Sequence, residues 1–509
     1  MEGTDTGTTD TGTTKAARRG PPLLAAVAVA YAVVQLCCAV AHMDLGWDES
    51  VYLSQVDPRN PAAYFSAPRS RGISFLVAPV VALTPSVTTL RVTLALLSSA
   101  ALYGAFRIWE PLAGRARTAL AAALFAGLWI TVLSGPEVMP NLWIAFAATA
   151  ATGCFLRTRA PADTRAPADP RTPADTRTPT GSRNLAGLAA SLAAAALLRA
   201  PDAVWLALPM LAACAAVRDR RALHTAAVVL GGLAAGGAQW AAEAWVRFGG
   251  VTQRLADSSA TEGGMGAHPG AGLSAARRSL NGPQLCRPCH IANPSLTHSL
   301  WWLLLPVLAA AACALALRTG GRARAVTLLP VACALSLAAP YLLLLDYSAP
   351  RFLLPSYALL ALPVAGLAAG AVTRLHTGPP RWAAAAALCA LLAAHLWVQQ
   401  GELRANAADA RDTTVRYRRA AEGLQRLGLS APCLVTGPRA QPVAYAAGCA
   451  SAQTRGNNRS TTEAALARAA HRVPTAVLQD PADGRLPPFA RTWHPHPLPG
   501  TGGWTAYLP

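Results

Sequence analysis

Two adjacent carboxylates follow the first long apolar run of the chain, in His42-Met-Asp44-Leu-Gly-Trp47-Asp48-Glu49-Ser-Val-Tyr52. Acids at such a boundary have two readings. They are solvated loop acids beside an interfacial Trp47, or a general base with a partner that orients a metal ion or a donor. Further along, arginines stand where apolar runs begin or end: Arg69 and Arg71, Arg199 in Leu198-Arg-Ala-Pro-Asp202, and Arg351 in Tyr347-Ser-Ala-Pro-Arg351. A guanidinium fork matches phosphate oxygens, so these side chains suit an anionic group at a membrane surface. Snorkelling to lipid headgroups fits the same placement.

Gly135-Pro-Glu137-Val-Met-Pro140-Asn141 adds a third polar group, with Glu137 one helical turn before Asn141. Glu49 and Glu137 are candidates for holding a divalent cation, because carboxylates suit hard ions. No resident metal site is assigned. Tyr445, His471, His494 and His496 show no ligand spacing, and His494-Pro-His496 reads as an exposed terminal loop. Cys286-Arg-Pro-Cys289-His290 has the spacing of c-type haem attachment, but a single copy without a second axial ligand nearby fits a local disulfide better, with free or metal-binding thiols as the further alternative.

These residues must be positioned by a membrane bundle. The chain has 509 residues, 53% hydrophobic and only 14% charged, where a soluble domain carries about a quarter charged residues. Apolar runs of bilayer length recur over 22–41, 86–106, 118–134, 140–156, 184–199, 203–217, 222–246, 298–317, 326–345, 351–372 and 382–399, about eleven spans. The first is read as an uncleaved anchor, although Ala39-Val40-Ala41 resembles a cleavage site. Gly72–Leu83 is too short to span and reads as an interfacial or re-entrant helix.

The net charge of +19 could indicate nucleic acid, but the arginines sit in short loops without a basic helix or aromatic stripe, so nucleic acid is excluded as a partner. With residues 1–21 as a cytoplasmic tail, alternate loops collect the basic residues. They hold Arg107, Arg115 and Arg117, then Arg218, Arg220 and Arg221, then Arg318, Arg322 and Arg324, then Arg374 and Arg381. Residues 157–183 contain a Pro/Arg/Asp repeat of about six residues and read as a disordered linker. Residues 247–297 form a Gly/Ser/Ala-rich external loop, either a lid or disordered. Beyond the bundle of residues 22–400, residues 401–509 alternate helix-like stretches (Asp409–Leu427, Thr461–His471) with strands (Cys433–Gly437, Thr475–Gln479), which points to a small extracytoplasmic α/β domain. Seven cysteines fall in apolar spans; the other four, Cys286, Cys289, Cys433 and Cys449, lie in regions read as external and allow disulfides 286–289 and 433–449.

A first span followed by Asp-Glu and an aliphatic-Tyr pair resembles the GT-C membrane glycosyltransferases, in particular the dolichyl-phosphate-mannose and aminoarabinose transferase group. Tyr64–Pro79, Leu198–Pro209 and Tyr347–Pro355 resemble that group's juxtamembrane, Arg-Pro and Arg-Tyr-aliphatic-Pro segments in order. Asn141 stands where the group has an Asp. The resemblance implies an all-α polytopic fold of about eleven transmembrane helices in the plasma membrane, surrounded by membrane lipids. It implies inverting transfer of a sugar from a polyprenyl-phosphate donor to a cell-envelope acceptor on the extracytoplasmic face. Asp48 would be the base with Glu49 beside it, and Arg199, Arg351, Arg69 and Arg71 would hold the donor phosphate. Glu137, Asn141, Tyr52 and Tyr347 form a secondary acidic or acceptor-facing set. No cofactor is assigned beyond the candidate divalent cation. The rivals are a flippase for lipid-linked glycans, for which Arg91 at mid-span is the clearest sign, and a non-catalytic scaffold.

Overall fold

The computed structural model describes residues 22–41, 43–159, 180–217, 219–287, 289–375, 378–456, 458–482 and 485–509. The expected N-terminal tail (1–21) and residues 160–179 of the expected linker lie outside them. The first half of the bundle comprises α1 (Leu23–Gln35, extended by a π-helical turn Leu36–Val40), α2 (Trp47–Ser54), α3 (Gly72–Leu83), α4 (Val87–Arg107), α5 (Glu110–Ala113), α6 (Arg115–Ala126), α7 (Trp129–Ser134) and α8 (Pro140–Arg159). The second half comprises α9 (Thr180–Leu198), α10 (Ala200–Val217), α11 (Arg220–Phe248), α12 (Val251–Thr261), α13 (Pro269–Ser279), α14 (Leu296–Thr319), α15 (Gly321–Leu343), α16 (Leu354–Thr373) and α17 (Pro379–Arg426).

Local chemistry sets these boundaries. Thr84 is extended before Pro85 and ends α3, while the Ser86 hydroxyl caps α4 by accepting from the Thr89 N–H. Proline in the first turn starts α8 and α10, where its missing N–H costs nothing. Among the described residues, eight helical segments are long and apolar enough to cross a membrane. α8 and α9 have bilayer length but fall below that apolarity, and the expected span 118–134 breaks between α6 and α7 at Gly127-Leu128. Outward-facing side chains such as Val246 (84% exposed) and Trp397 (80%) would form a costly apolar surface in water and fit a lipid-facing one.

Helices in lipid gain little from hydrophobic burial, so close packing and buried polar links hold them together. On α11, Gly232 and Gly236 face Ala189 and Ala193 of α9, each pair four residues apart; a Cβ on Gly236 would lie 2.0 Å from the Ala193 carbonyl oxygen. Between α1 and α4, the buried Gln35 amide donates to Ser99 Oγ at 3.0 Å and its carbonyl accepts from Ser98 Oγ at 3.0 Å. The largest apolar core joins α1, α4, α6, α8 and α16 around Phe106, Trp109, Phe125 and Leu354.

The C-terminal region carries α18 (Ala440–Ala447), α19 (Glu463–Ala470) and a five-stranded sheet of β1 (Leu434–Thr436), β2 (Ala450–Ala452), β3 (Thr475–Gln479), β4 (His494–Pro497) and β5 (Thr505–Leu508). Its order is β2-β1-β3-β5-β4. β1 pairs in parallel with β2 and β3, and the β3–β5 and β4–β5 pairs are antiparallel. His494 and His496 thus lie on an edge strand rather than in a terminal loop. The border expected at residue 400 falls inside α17, a 48-residue helix about 70 Å long that runs from the bundle into the core under the sheet, where Tyr417, Ala421 and Leu424 are buried. Residues 247–297 are also more ordered than expected, holding α12 and α13.

A Gly236→Val substitution places two methyl groups against the α9 backbone. It is expected to cost about 1–3 kcal/mol, read as a lower unfolding midpoint in detergent, whereas the same change at Gly237, which has nothing within 4 Å of its Cβ position, leaves the midpoint unchanged.

Candidate functional site

Asp48 and Glu49 share the first turn of α2, but successive helical residues point about 100° apart, so the two carboxylates cannot face the same way. Glu49 turns inward. Its Oε1 accepts from Arg91 Nη1 (2.7 Å) and the Val138 N–H (2.7 Å); its Oε2 accepts from Arg91 Nη2 (2.8 Å) and the Gly46 N–H (2.7 Å). Arg91, 1% exposed on α4, also donates to the carbonyls of Asp44 (2.8 Å) and Pro136 (2.8 Å). One buried ion pair thereby ties α2 to α4 and to the segment before α8.

This arrangement corrects two expectations. Glu49 has no oxygen left for a catalytic role or for a cation shared with Glu137, so the residues present do not fit that metal site. Arg91, the mid-span charge that suggested transport, is fully engaged as Glu49's partner.

Asp48 turns outward and is 28% exposed. Arg69 Nη2 donates to its Oδ1 at 2.7 Å and Arg351 Nη2 to its Oδ2 at 2.8 Å. The two arginines come from opposite ends of the chain. Arg69 lies in the turn before α3, and its guanidinium sits over the rings of Trp47 (5.8 Å) and Tyr52 (5.1 Å). Arg351 sits in a 3₁₀ turn, Pro350–Leu353, that opens α16; its Nε is buried without a hydrogen-bond partner among the described residues. Arg199 occupies the break between α9 and α10, 5.4 Å from the Tyr341 ring and 3.7 Å from the Asp202 carboxylate. Glycine makes this convergence possible: a Cβ on Gly72 would lie 2.6 Å from the Leu197 carbonyl oxygen, so α3 starts directly against the end of α9.

A solvent-open cavity collects Asp48, Tyr52, Arg69, Asn141, Arg199, Glu262, Tyr347 and Arg351 in its walls. Five of these, Asp48, Arg69, Asn141, Arg199 and Arg351, come from five sequence segments that had been singled out separately, and Tyr52 and Tyr347 flank them. Desolvation opposes the Asp48 carboxylate, but Arg69 and Arg351 outweigh it and hold the carboxyl below its ordinary value. Arg71 is not in the cavity. It donates to Glu243 Oε1 (2.8 Å) and sits over the Phe65 ring (4.7 Å), so its expected phosphate role is withdrawn in favour of an ion pair between α3 and α11. Glu137 lines a smaller adjoining cavity with Trp129 and Arg351. Desolvation, with Glu49 nearby, pushes its carboxyl up to about 7.

Sequence reasoning missed Glu262, an acid in a Gly/Ser-rich stretch whose position at the end of α12 no local signal marks. It also missed Arg254, fully buried on α12, which donates to the carbonyls of Ala67 (3.1 Å) and Arg69 (2.8 Å) and so fixes the turn carrying Arg69. Cys286 and Cys289 are joined to each other, as are Cys433 and Cys449. The Cys286–Cys289 disulfide engages both thiols that haem attachment would require. The C-terminal region closes over the same side: Tyr445 donates to Asp57 Oδ2 at 2.6 Å and Arg418 to Asp44 Oδ2 at 2.8 Å.

The chain is similar to a solved ArnT from Cupriavidus metallidurans bound to undecaprenyl phosphate, with a TM-score of 0.60, 12% identity, and coverage of 95% of this chain and 97% of that one. The chain has the GT-C fold. The GT-C bundle is shared as well with the Archaeoglobus fulgidus oligosaccharyltransferase in its apo form (TM-score 0.56, 12% identity, 89% of this chain and 69% of that one). It is also shared with the archaeal oligosaccharyltransferase AglB from the same organism in complex with an inhibitory peptide and a dolichol-phosphate (TM-score 0.53, 11% identity, 89% and 69%). No protein-family profile and no curated protein sequence matches the chain.

Glu49→Gln leaves the Arg91 charge buried and unpaired, and a loss of about 3–5 kcal/mol is expected in unfolding of the detergent-solubilised protein. Glu137 behaves differently. Its folded value lies above the ordinary 4.5, so the folded state holds the extra proton between about pH 4.5 and 7 and stability falls as pH rises through that window. Unfolding midpoints measured from pH 4 to 8 should lose that slope in Glu137→Gln.

Proposed function

We propose that this GT-C chain is an inverting glycosyltransferase that moves a sugar from a polyprenyl-phosphate donor to a cell-envelope acceptor at the extracytoplasmic face of the plasma membrane. The observation that carries the proposal is the joint presence of Asp48 with Arg69, Arg199 and Arg351 in one open cavity at the end of the bundle. The undecaprenyl phosphate and dolichol-phosphate bound to the structural neighbours support a lipid monophosphate as the donor class.

In this mechanism the acceptor hydroxyl oxygen attacks the anomeric carbon, the bond from that carbon to the phosphate oxygen breaks, and Asp48 takes the hydroxyl proton. The released polyprenyl phosphate gains a negative charge as it leaves. Arg199 and Arg351 meet that charge, and the unpartnered Arg351 Nε is a donor already desolvated for it. Asp48 is a weak base while two guanidiniums hold it. When the donor phosphate draws Arg351 away, the carboxylate loses a counter-charge and becomes more basic at the moment a proton must be accepted. Residues 22–400 serve as the transferase domain and 401–509 as an extracytoplasmic cap over the acceptor side.

Sugar transfer from polyprenyl-phosphate donors, assayed in membranes, is expected to fall about 10²–10⁴-fold in both Asp48→Asn and Asp48→Ala. Arg351→Ala and Arg199→Ala should raise the donor KM. Transfer at the parental rate in both Asp48 variants removes the base and the mechanism with it.

A further inference from the structure

We infer that Asn141 and Glu262 are the residues that recognise the transferred sugar, its hydroxyls accepting from the amide of Asn141 and donating to the carboxylate of Glu262. This rests on the transferase reading and deepens its sugar site. Asn141 lies in the first turn of α8 and is 2% exposed, yet its Nδ2 has no hydrogen-bond partner among the described residues although the side chain lines the cavity. A buried amide N–H left without a partner is costly unless something in the cavity accepts from it.

Glu262 supplies the opposite sense. It lines the same cavity at the end of α12, and its carboxylate makes no hydrogen bond or ion pair among the described residues. Its position is built rather than loose. Arg287 Nη1, inside the disulfide-closed loop Cys286–Cys289, donates to the carbonyl of Thr261 at 3.0 Å and sits 4.6 Å from the Tyr347 ring. The Cys286 N–H donates to the Ser348 carbonyl at 2.9 Å, which fixes that loop to the strand-like segment before Arg351.

A cavity offering one N–H donor and one carboxylate acceptor is matched by hydroxyls, which accept from the first and donate to the second. A sugar carboxylate would meet Glu262 with like charge. Neutral hydroxyls satisfy both side chains and add no charge.

The test is lipid binding to the full-length protein in nanodiscs, read by tryptophan fluorescence. The probes are bare undecaprenyl phosphate and its mannosyl, glucosyl, galactosyl, 4-aminoarabinosyl and glucuronosyl forms. At least one sugar-bearing lipid should bind about 5–10-fold more tightly than the bare lipid. Asn141→Leu and Glu262→Leu should each remove that gain, and binding of the bare lipid through the arginines reports that each variant is folded. A sugar gain that survives both substitutions, or no gain for any sugar, overturns the inference alone. Failure of the parental protein to bind the bare lipid overturns the transferase reading, and this inference falls with it.

Discussion

A single buried ion pair, Glu49 with Arg91, fixes the cavity wall formed by α2 and the segment before α8. Two charges taken out of water are tolerable only when each finds all its hydrogen bonds, and this pair does: four donors reach the two oxygens of Glu49, and backbone carbonyls take the rest of the guanidinium. The pair sets the rotation of α2 about its own axis. Once Glu49 must face α4, helical geometry leaves Asp48 no direction but the cavity. The same pair holds the 136–138 segment, and through it the start of α8 with Asn141.

Around this fixed point the remaining walls come from distant parts of the chain, each with its own anchor. Arg254 grips the carbonyls on either side of Pro68 and so presents Arg69. The proline-led 3₁₀ turn presents Arg351, and the break between α9 and α10 presents Arg199. The result is three guanidiniums beside two carboxylates, Asp48 and Glu262, in a site open to solvent and rooted in helices. A site of that kind favours an anionic group and leaves the Asp48 carboxylate ionised over the physiological range. α17 runs without interruption from the bundle into the C-terminal core, and the Tyr445–Asp57 and Arg418–Asp44 contacts seat that core on the loops flanking α2.

Much of this was legible in the sequence because the bilayer imposes a strong constraint. Apolar runs, the arginines at their ends and the alternation of basic loops located the bundle and its boundaries, and Asp48, Arg69, Arg199 and Arg351 each stood out as charges at a membrane edge. What the sequence left hidden is orientation. Asp48 and Glu49 are chemically alike and adjacent, and only the rotation of α2 separates a cavity carboxylate from a structural one. Arg71 lies two residues from Arg69 but leaves the turn on the other side, toward Glu243. Glu262 and Arg254 sit on a helix whose Gly- and Ser-rich surroundings read as loop, since long-range hydrogen bonds rather than propensity hold it. β4 was missed because prolines at 495 and 497 argue against a strand, and an edge position tolerates them.

The central claim is that the Asp48 carboxylate and the arginines around it form a receptor for a lipid-borne phosphate. A cryo-EM structure of the protein in nanodiscs with undecaprenyl phosphate tests it most directly. The account requires the phosphate within hydrogen-bond distance of Arg199 and Arg351, with the Arg351–Asp48 contact lengthened relative to its present 2.8 Å. Phosphate density elsewhere on the protein, with both Asp48 ion pairs intact, contradicts it.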